Sequence, residues 1–326
     1  MRIVLACRSY PTIKPGGMPF VCQDRAEQLA KEGHDVHILL PGPQKIFEHK
    51  GVTLHFVGGD FRLYSKDYAS GCASACISLS PDIVHLDSAD LRSKWWIDRP
   101  GKARAYAITL HGMAIGAMLT RWNLWRLGLK DIDDFRLNLK SLKHEPELLR
   151  TFDTVIGISR CELWHLQDIY GLPNAKLVYN PIAACFFAPQ VPYNPNGDIV
   201  AAEVFENDAR GISAISSWCK VVRDRAREDM VDLYDRCRCL VVPTYYAKGY
   251  DLTVAEAAAR GRPVVVYGVG SYLMESWEND WIHTVPLGDV LRLHAAAHGT
   301  LGIPSKSAAD KHRPENHVKA WLEALT

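Results

Sequence analysis

Residues 238–272 read RCLVVPTYYAKGYDLTVAEAAARGRPVVVYGVGSY, and the chemistry along them runs strand, loop, helix, strand. Residues 239–242 are a short unbroken apolar run stopped by Pro243, the pattern of a strand buried on both faces of a parallel sheet. A loop holding Lys248, Gly249, Tyr250 and Asp251 follows. Leu252, Val254, Ala255, Ala258 and Ala259 then recur at helical spacing until Gly261 stops the helix. Val264, Val265 and Val266 make a second buried strand, and Gly268-Val269-Gly270 a second turn. In such a unit a ligand sits at the carboxyl ends of the strands, against the first turn of the helix. The free N–H groups near Leu252 and Thr253 are placed to face an anion there, and Glu256, one turn in, to reach a pair of ribose hydroxyls.

The same alternation extends in both directions. Residues 1–40 form a β-α-β unit. A strand at 3–7 leads through Pro11 and Pro15-Gly16-Gly17 into a helix with Val21, Ala26, Leu29 and Ala30 on its apolar face, and a strand at 36–40 ends at Pro41. The Gly16-Gly17 pair is either a plain turn or a place where backbone approaches a phosphate closely. Further strands are expected at 81–86, carrying His85 and Asp87 at its end, at 105–110, ending in His111-Gly112, and at 152–159. Four prolines, Pro181, Pro189, Pro192 and Pro195, mark a linker, after which residues 198–202 open a second domain. There Arg210-Gly211 is expected to start a helix with Ile212 and Ile215 on one side, leaving room for one further helix over 228–237. Helices are also expected at 271–277, 291–298 and in the tail, where Val318, Trp321, Leu322 and Leu325 share a face. Strands alternating with helices imply a doubly wound parallel sheet in each part. The expected division is 1–185, 186–305, and a terminal helix within 306–326.

Composition bounds the function. The chain has 326 residues, 48% hydrophobic and 23% charged, with a formal net charge of +1, which fits a globular protein of two domains. No apolar run approaches the roughly 18 residues of a membrane-crossing helix. The apolar opening at 3–7 is too short for a secretion signal and reads as a first strand. Nine scattered cysteines, an odd number, suggest reduced thiols and a cytoplasmic setting. Cys72-x3-Cys76, Cys237-x-Cys239 and His294-x3-His298 come nearest to metal-ligand spacing, but none has a companion pair, so no metal site is expected. Residues 92–150 carry twelve Lys/Arg against six Asp/Glu, with Trp95, Trp96, Trp122 and Trp125 interleaved. Such a mixture is either a solvated helical face with snorkelling stems or a surface for phosphates or a membrane.

The 238–272 unit resembles the donor-site segment of the retaining GT-B glycosyltransferases, the family 4-like class with the E-x7-E signature. Glu256 matches the second glutamate, Glu256-Ala257 the EA dipeptide, and 261–265 the G-x-PVV run. Lys248 stands where the first glutamate belongs, and Asp251 replaces the second glycine of the loop. Gly16-Gly17, Gly33-His34-Asp35-Val36 and His111-Gly112 match further points of the class pattern, and Arg210-Gly211 stands for its Lys-Gly. A second arginine expected shortly before is absent; Phe205 or Glu203 is there instead.

The resemblance implies two Rossmann-like domains facing a cleft, the second of them trimmed. It implies transfer of a hexose or related sugar from a nucleotide-diphosphate sugar, a UDP-sugar, to an acceptor hydroxyl with retention of configuration. No cofactor is implied beyond the donor substrate. Gly16, Gly17, Lys248, Gly249, Tyr250, Asp251, Leu252, Thr253 and Glu256 would bind the donor, and His111, Arg210 and Glu256 would serve catalysis. Backbone N–H groups and the Arg210 guanidinium would take the diphosphate charge without a metal; the one Asp-x-Asp, at 131–133, lies in the basic segment. Arg121, Trp122, Trp125 and Arg126 are candidates for an acceptor that is anionic, either lipid- or saccharide-linked or DNA with a hydroxymethylated base. A sugar-nucleotide-binding protein without activity is the other class open at this stage, and Lys248 either recognises an altered donor or marks an altered or lost activity.

Overall fold

In a computed structural model, the residues described are 1–13, 16–60, 66–87, 98–129, 135–223 except 204–210, and 225–325 except 248; for 135–141 and 203 this covers the backbone alone. The first part of the chain runs β1 (Arg2–Cys7), α1 (Gly17–Lys31), β2 (Asp35–Leu40), β3 (Gly42–His49), β4 (Val52–Gly58), α2 (Lys66–Leu79), β5 (Ile83–Asp87), β6 (Ala105–Leu110), α3 (Ala114–Arg126), α4 (Phe135–Leu149), β7 (Thr154–Gly157), α5 (Arg160–Trp164), prolonged by a π-helical turn His165–Ile169, and β8 (Lys176–Leu177). The second runs β9 (Asp198–Glu203), β10 (Lys220–Arg223), α6 (Arg227–Arg236), β11 (Cys237–Val242), α7 (Leu252–Ala259), β12 (Val264–Tyr267), α8 (Ser271–Glu275), β13 (Ile282–Val285), α9 (Val290–His298) and α10 (Pro314–Ala324).

These strands build two separate sheets. The first has the order β3-β4-β2-β1-β5-β6-β7-β8 and the second β10-β9-β11-β12-β13. All pairings are parallel except the β3–β4 hairpin at the edge of the first sheet. Residues 3–7 of β1 and all of β5 and β6 are buried, which is why they read as continuous apolar runs. Ser159 caps α5, accepting from Glu162 N–H at 3.2 Å, while Glu162 Oε2 accepts from Ile158 N–H at 3.0 Å. That is a close variant of the S-x-x-E capping box, and it fixes the end of β7.

Several features depart from the sequence reading. The β3–β4 hairpin, α2 and β10 have no counterpart in that reading. Arg210 lies outside the described residues, and Gly211 is followed not by a regular helix but by a 3-10 turn, Ile212–Ala214. Gly211 has φ +65°, and a Cβ there would collide with the carbonyl oxygen of Pro243, so this turn is pressed against the end of β11. Part of the basic segment serves structure: Arg99 pairs with Asp153 at 2.6 Å and covers the Tyr106 ring, and Arg150 donates to Tyr170 O at 2.8 Å. Trp95, Trp96 and Asp131-x-Asp133 lie outside the described residues. Cys72 and Cys76 are buried in the first-sheet core.

The proline-rich connection is anchored. Ile182 and Phe186 are fully buried in the core of the second sheet. Arg260, 1% exposed, donates to the carbonyls of Phe186, Ala188 and Pro189 at 3.3, 2.7 and 3.0 Å and grips Asp235 with two further bonds of 2.9 and 2.8 Å. Arg262 donates to the carbonyls of Val191, Tyr234 and Asp235 at 3.1, 2.7 and 2.9 Å. The arginines of the A-R-G-R-P run thus satisfy backbone acceptors that burial would otherwise strand. At the far end of the chain, α10 packs on α1, and its Val318 and Trp321 join the core of the first sheet.

Removing such a guanidinium leaves a carboxylate and three carbonyls without their donor. Arg260→Met is expected to lower the free energy of unfolding by about 3 kcal/mol or more. Urea denaturation checks this, and a loss below about 1 kcal/mol would show that the linker is not held by this side chain.

Candidate active site

Two helix N-termini meet between the sheets. Gly16 is the N-cap of α1 and Gly17 its first residue; Asp251 is the N-cap of α7 and Leu252 its first residue. A methyl group at Gly17 would lie 3.7 Å from Leu252 Cδ1, so the two first turns face each other. Neither cap residue bonds its helix through a side chain. In α1 the N–H groups of Gly17 and Met18 have no intrahelical partner and Pro19 has none to offer; in α7 those of Leu252 and Thr253 are in the same position. Both ends carry partial positive charge, which is the condition for holding an anion between them.

Glu256 lies one turn inside α7 and is 8% exposed. Tyr234 O–H donates to its Oε2 at 3.0 Å. Arg227, the first residue of α6, grips Asp24 of α1 with two bonds of 2.7 and 2.8 Å, its guanidinium 3.9 Å from the Phe20 ring centre. Burial pushes the Glu256 carboxyl up to about 7; Arg227 and the Tyr234 bond pull it down, and Asp24 adds to the rise. Burial likewise raises Asp24 against the pull of Arg227. The Asp24–Arg227 bridge joins the two domains beside Glu256. Sequence reading missed it, because neither residue belongs to a local motif.

The loop between β11 and α7 is held by the first domain. Thr120 Oγ1 of α3 accepts from Ala247 N–H at 2.9 Å, and Asn123 Nδ2 donates to Tyr245 O at 3.2 Å. A Cβ at Gly249 would come within 2.9 Å of Ile158 Cδ1 and of Glu162 Oε1, so the loop passes the end of β7 too closely for a side chain. Tyr250 is buried, its ring stacked on His312 at 5.4 Å and edge-on to Tyr179 at 6.4 Å; it braces the loop against the chain crossings between the domains. Asp251 accepts a hydrogen bond from Tyr272 O–H. Lys248 and Arg210 lie outside the described residues.

His111 closes β6 on the first-domain side, with Nε2 3.2 Å from Asp87 Oδ1 at the end of neighbouring β5. Of the acceptor candidates, Trp122 and Trp125 are 42% and 43% exposed, and their rings pair at 4.8 Å. Thr120 and Leu124 of the same helix are buried. The Trp pair thus lies on the side of α3 turned away from the 243–251 loop, with Arg121 and Arg126 beside it. The structure brings Gly16, Gly17, Leu252 and Thr253 together, with Glu256 behind them; it does not bring the Trp pair to them.

Two parallel α/β sheets meeting through the loops at their carboxyl ends, with opposed helix N-termini between them, define the GT-B fold. The sequence profile of Glycosyltransferase Family 4 matches residues 15–184, and that of Glycosyl transferases group 1 matches residues 199–301. The chain belongs to glycosyltransferase family 4. No curated protein matched the sequence. Among solved structures, a sucrose-phosphate synthase (tll1590) from Thermosynechococcus elongatus is similar at 15% identity and a TM-score of 0.71, over 100% of this chain and 95% of that one. Anabaena Alr3699/HepE, solved in complex with UDP and glucose, is similar at 12% identity and a TM-score of 0.69, over 100% and 99% of the two chains. WaaG, a glycosyltransferase involved in lipopolysaccharide biosynthesis, is similar at 13% identity and a TM-score of 0.62, over 99% of each chain. At these identities the likeness is one of fold. No helix among the described residues is long and apolar enough to cross a membrane.

The raised Glu256 carboxyl has a consequence for stability. Between the ordinary 4.5 and about 7 the folded chain keeps a proton that the unfolded chain has lost, so stability falls as pH rises through this window. Glu256→Gln keeps an acceptor for Tyr234 and removes the ionisation. Its melting temperature relative to wild type is expected to rise between pH 5 and pH 8.5; parallel curves across that range would contradict the buried, protonated carboxyl.

Proposed function

We propose that the protein transfers a sugar from a UDP-sugar to an acceptor hydroxyl, with the anomeric configuration retained and without a metal ion. The observation that carries this reading is the convergence of the α1 and α7 N-termini at Gly17 and Leu252, with the Glu256 carboxyl one turn behind. A diphosphate leaving group gathers negative charge as the glycosidic bond breaks. Preorganised N–H donors and helix dipoles stabilise that charge with little reorganisation. In this reading Glu256 accepts from ribose hydroxyls, and the solved complex of Anabaena Alr3699/HepE with UDP and glucose supports a nucleotide-sugar donor for this fold. In this reading Arg210 adds a guanidinium to the diphosphate, and Lys248 meets the donor in place of a glutamate. His111 stands beside the transferred sugar. The acceptor enters from the first domain; the Trp122–Trp125 pair with Arg121 and Arg126, turned away from the loop before α7, is not part of that entry.

UDP is expected to raise the melting temperature, since a ligand that binds only the native state stabilises it. Nucleotide release from UDP-sugars should persist in EDTA. Glu256→Ala, His111→Ala and Arg210→Ala should each slow it by about tenfold or more, the scale of one charge-assisted contact. No stabilisation by any nucleotide, together with no release from a panel of nucleotide sugars, would sink the reading.

A further inference from the structure

A buried polar chain runs from α10 to His111. Arg25 of α1, fully buried, donates from Nη1 to Asp87 Oδ1 at 2.7 Å and from Nε to His317 Nε2 at 2.9 Å; Nη1 also lies 3.3 Å from His85 Nδ1. A guanidinium only donates, and carbonyl and carboxylate oxygens only accept, so these partners fix each imidazole. His317 accepts at Nε2 and donates from Nδ1 to Tyr179 O at 2.7 Å, so it is neutral. His85 accepts at Nδ1 and donates from Nε2 to Thr109 Oγ1 at 2.8 Å, so it is neutral too. Both assignments agree with burial as the cause that lowers their protonation, His85 to about 3 and His317 well below the ordinary histidine value. One member of the chain reaches the cleft: His111, whose Nε2 faces Asp87 Oδ1 at 3.2 Å.

We infer that Asp87 is the positioning residue of His111, its carboxylate holding the ring with hydrogen on Nε2 and leaving Nδ1 as the acceptor nitrogen. Asp87 is fully buried, and Oδ1 receives both Arg25 and His111, while Oδ2 has no partner among the described residues. Burial works to protonate this carboxyl; the Arg25 guanidinium and the bond from His111 outweigh it and hold Asp87 well below the usual carboxylate range. A buried charge with one oxygen unused is a poor device for stability alone. It is a good device for fixing the orientation and tautomer of an imidazole that borders a reacting sugar. Arg25 keeps the carboxylate ionised, and His317 holds Arg25 from the far side. The inference rests on the transferase reading for its catalytic meaning, but its geometry can be measured without turnover.

The first measurement is nitrogen-15 NMR of histidine-labelled protein, with His111 assigned through His111→Ala. Hydrogen on Nε2 is expected at neutral pH; hydrogen on Nδ1 would overturn the inference, even if Asp87→Asn fails to fold. The second is a double-mutant cycle on nucleotide-sugar turnover. Asp87→Asn turns an amide donor toward His111 or loses its anionic acceptor, and should cut kcat by about tenfold or more with the donor KM within about threefold. In the double variant with His111→Ala, the loss should match His111→Ala alone. Independent, multiplicative losses would assign Asp87 to the fold only. A wild type that turns over no nucleotide sugar would defeat the transferase reading while leaving the tautomer result to stand or fall by itself.

Discussion

A guanidinium sealed inside the first domain ties three elements to one point. Arg25 sits on α1, the helix that begins at Gly17, and reaches β5 through Asp87 and His85 and α10 through His317. Its plane also faces the Trp321 ring at 5.7 Å. An arginine without solvent is costly unless its hydrogens find acceptors of full or partial negative charge; here a cluster drawn from distant parts of the chain supplies them to Nε and Nη1, while Nη2 has no partner among the described residues. The register of α1 against the sheet is therefore set by this side chain as much as by Val21, Cys22, Ala26 and Leu29. Because α1 starts at the cleft, whatever holds its middle also aims its N-terminus.

The second constraint comes from the other domain. The loop before α7 is not free to choose a conformation, since it is bonded by Thr120 and Asn123, squeezed past Ile158 at Gly249 and wedged by Tyr250. The first domain thus shapes the α7 N-terminus almost as directly as it shapes that of α1. The Asp24–Arg227 bridge adds a contact between domains next to the buried Glu256. Part of the candidate surface is made by one domain and held in place by the other, so the candidate site belongs to neither domain alone.

The double-sheet architecture is legible in the sequence because strands buried on both faces leave unbroken apolar runs, and because glycines punctuate the helices that follow. The misses have equally physical causes. β3 (GPQKIFEH) is an edge strand exposed along most of its length, so no face imposes alternation. The small residues of α2 blur its helical period, and β10 is four residues at a sheet edge. Arg260 and Arg262 stand inside a recognised stretch, yet their role depends on carbonyls about seventy residues away. His111 is visible as a strand-end histidine; its partner Asp87 is visible only once β5 and β6 are adjacent, and Arg25, 62 residues from Asp87, only once the fold exists. Local periodicity reports which faces are buried. It carries no information on which distant polar groups will meet there.

The two places where the chain passes between domains are stitched to each other. His312 Nδ1 donates to Asn180 O at 2.7 Å, and Ile182 N–H donates to His312 O at 3.0 Å. On one side of this stitch the connection is clamped to the second sheet by Arg260 and Arg262; on the other, α10 is packed into the first. Two independent tethers would let the halves twist and slide. A paired crossing behaves like a door with a single pin: widening the mouth turns both passages together, and the Tyr250 wedge, stacked on His312, travels with the pin.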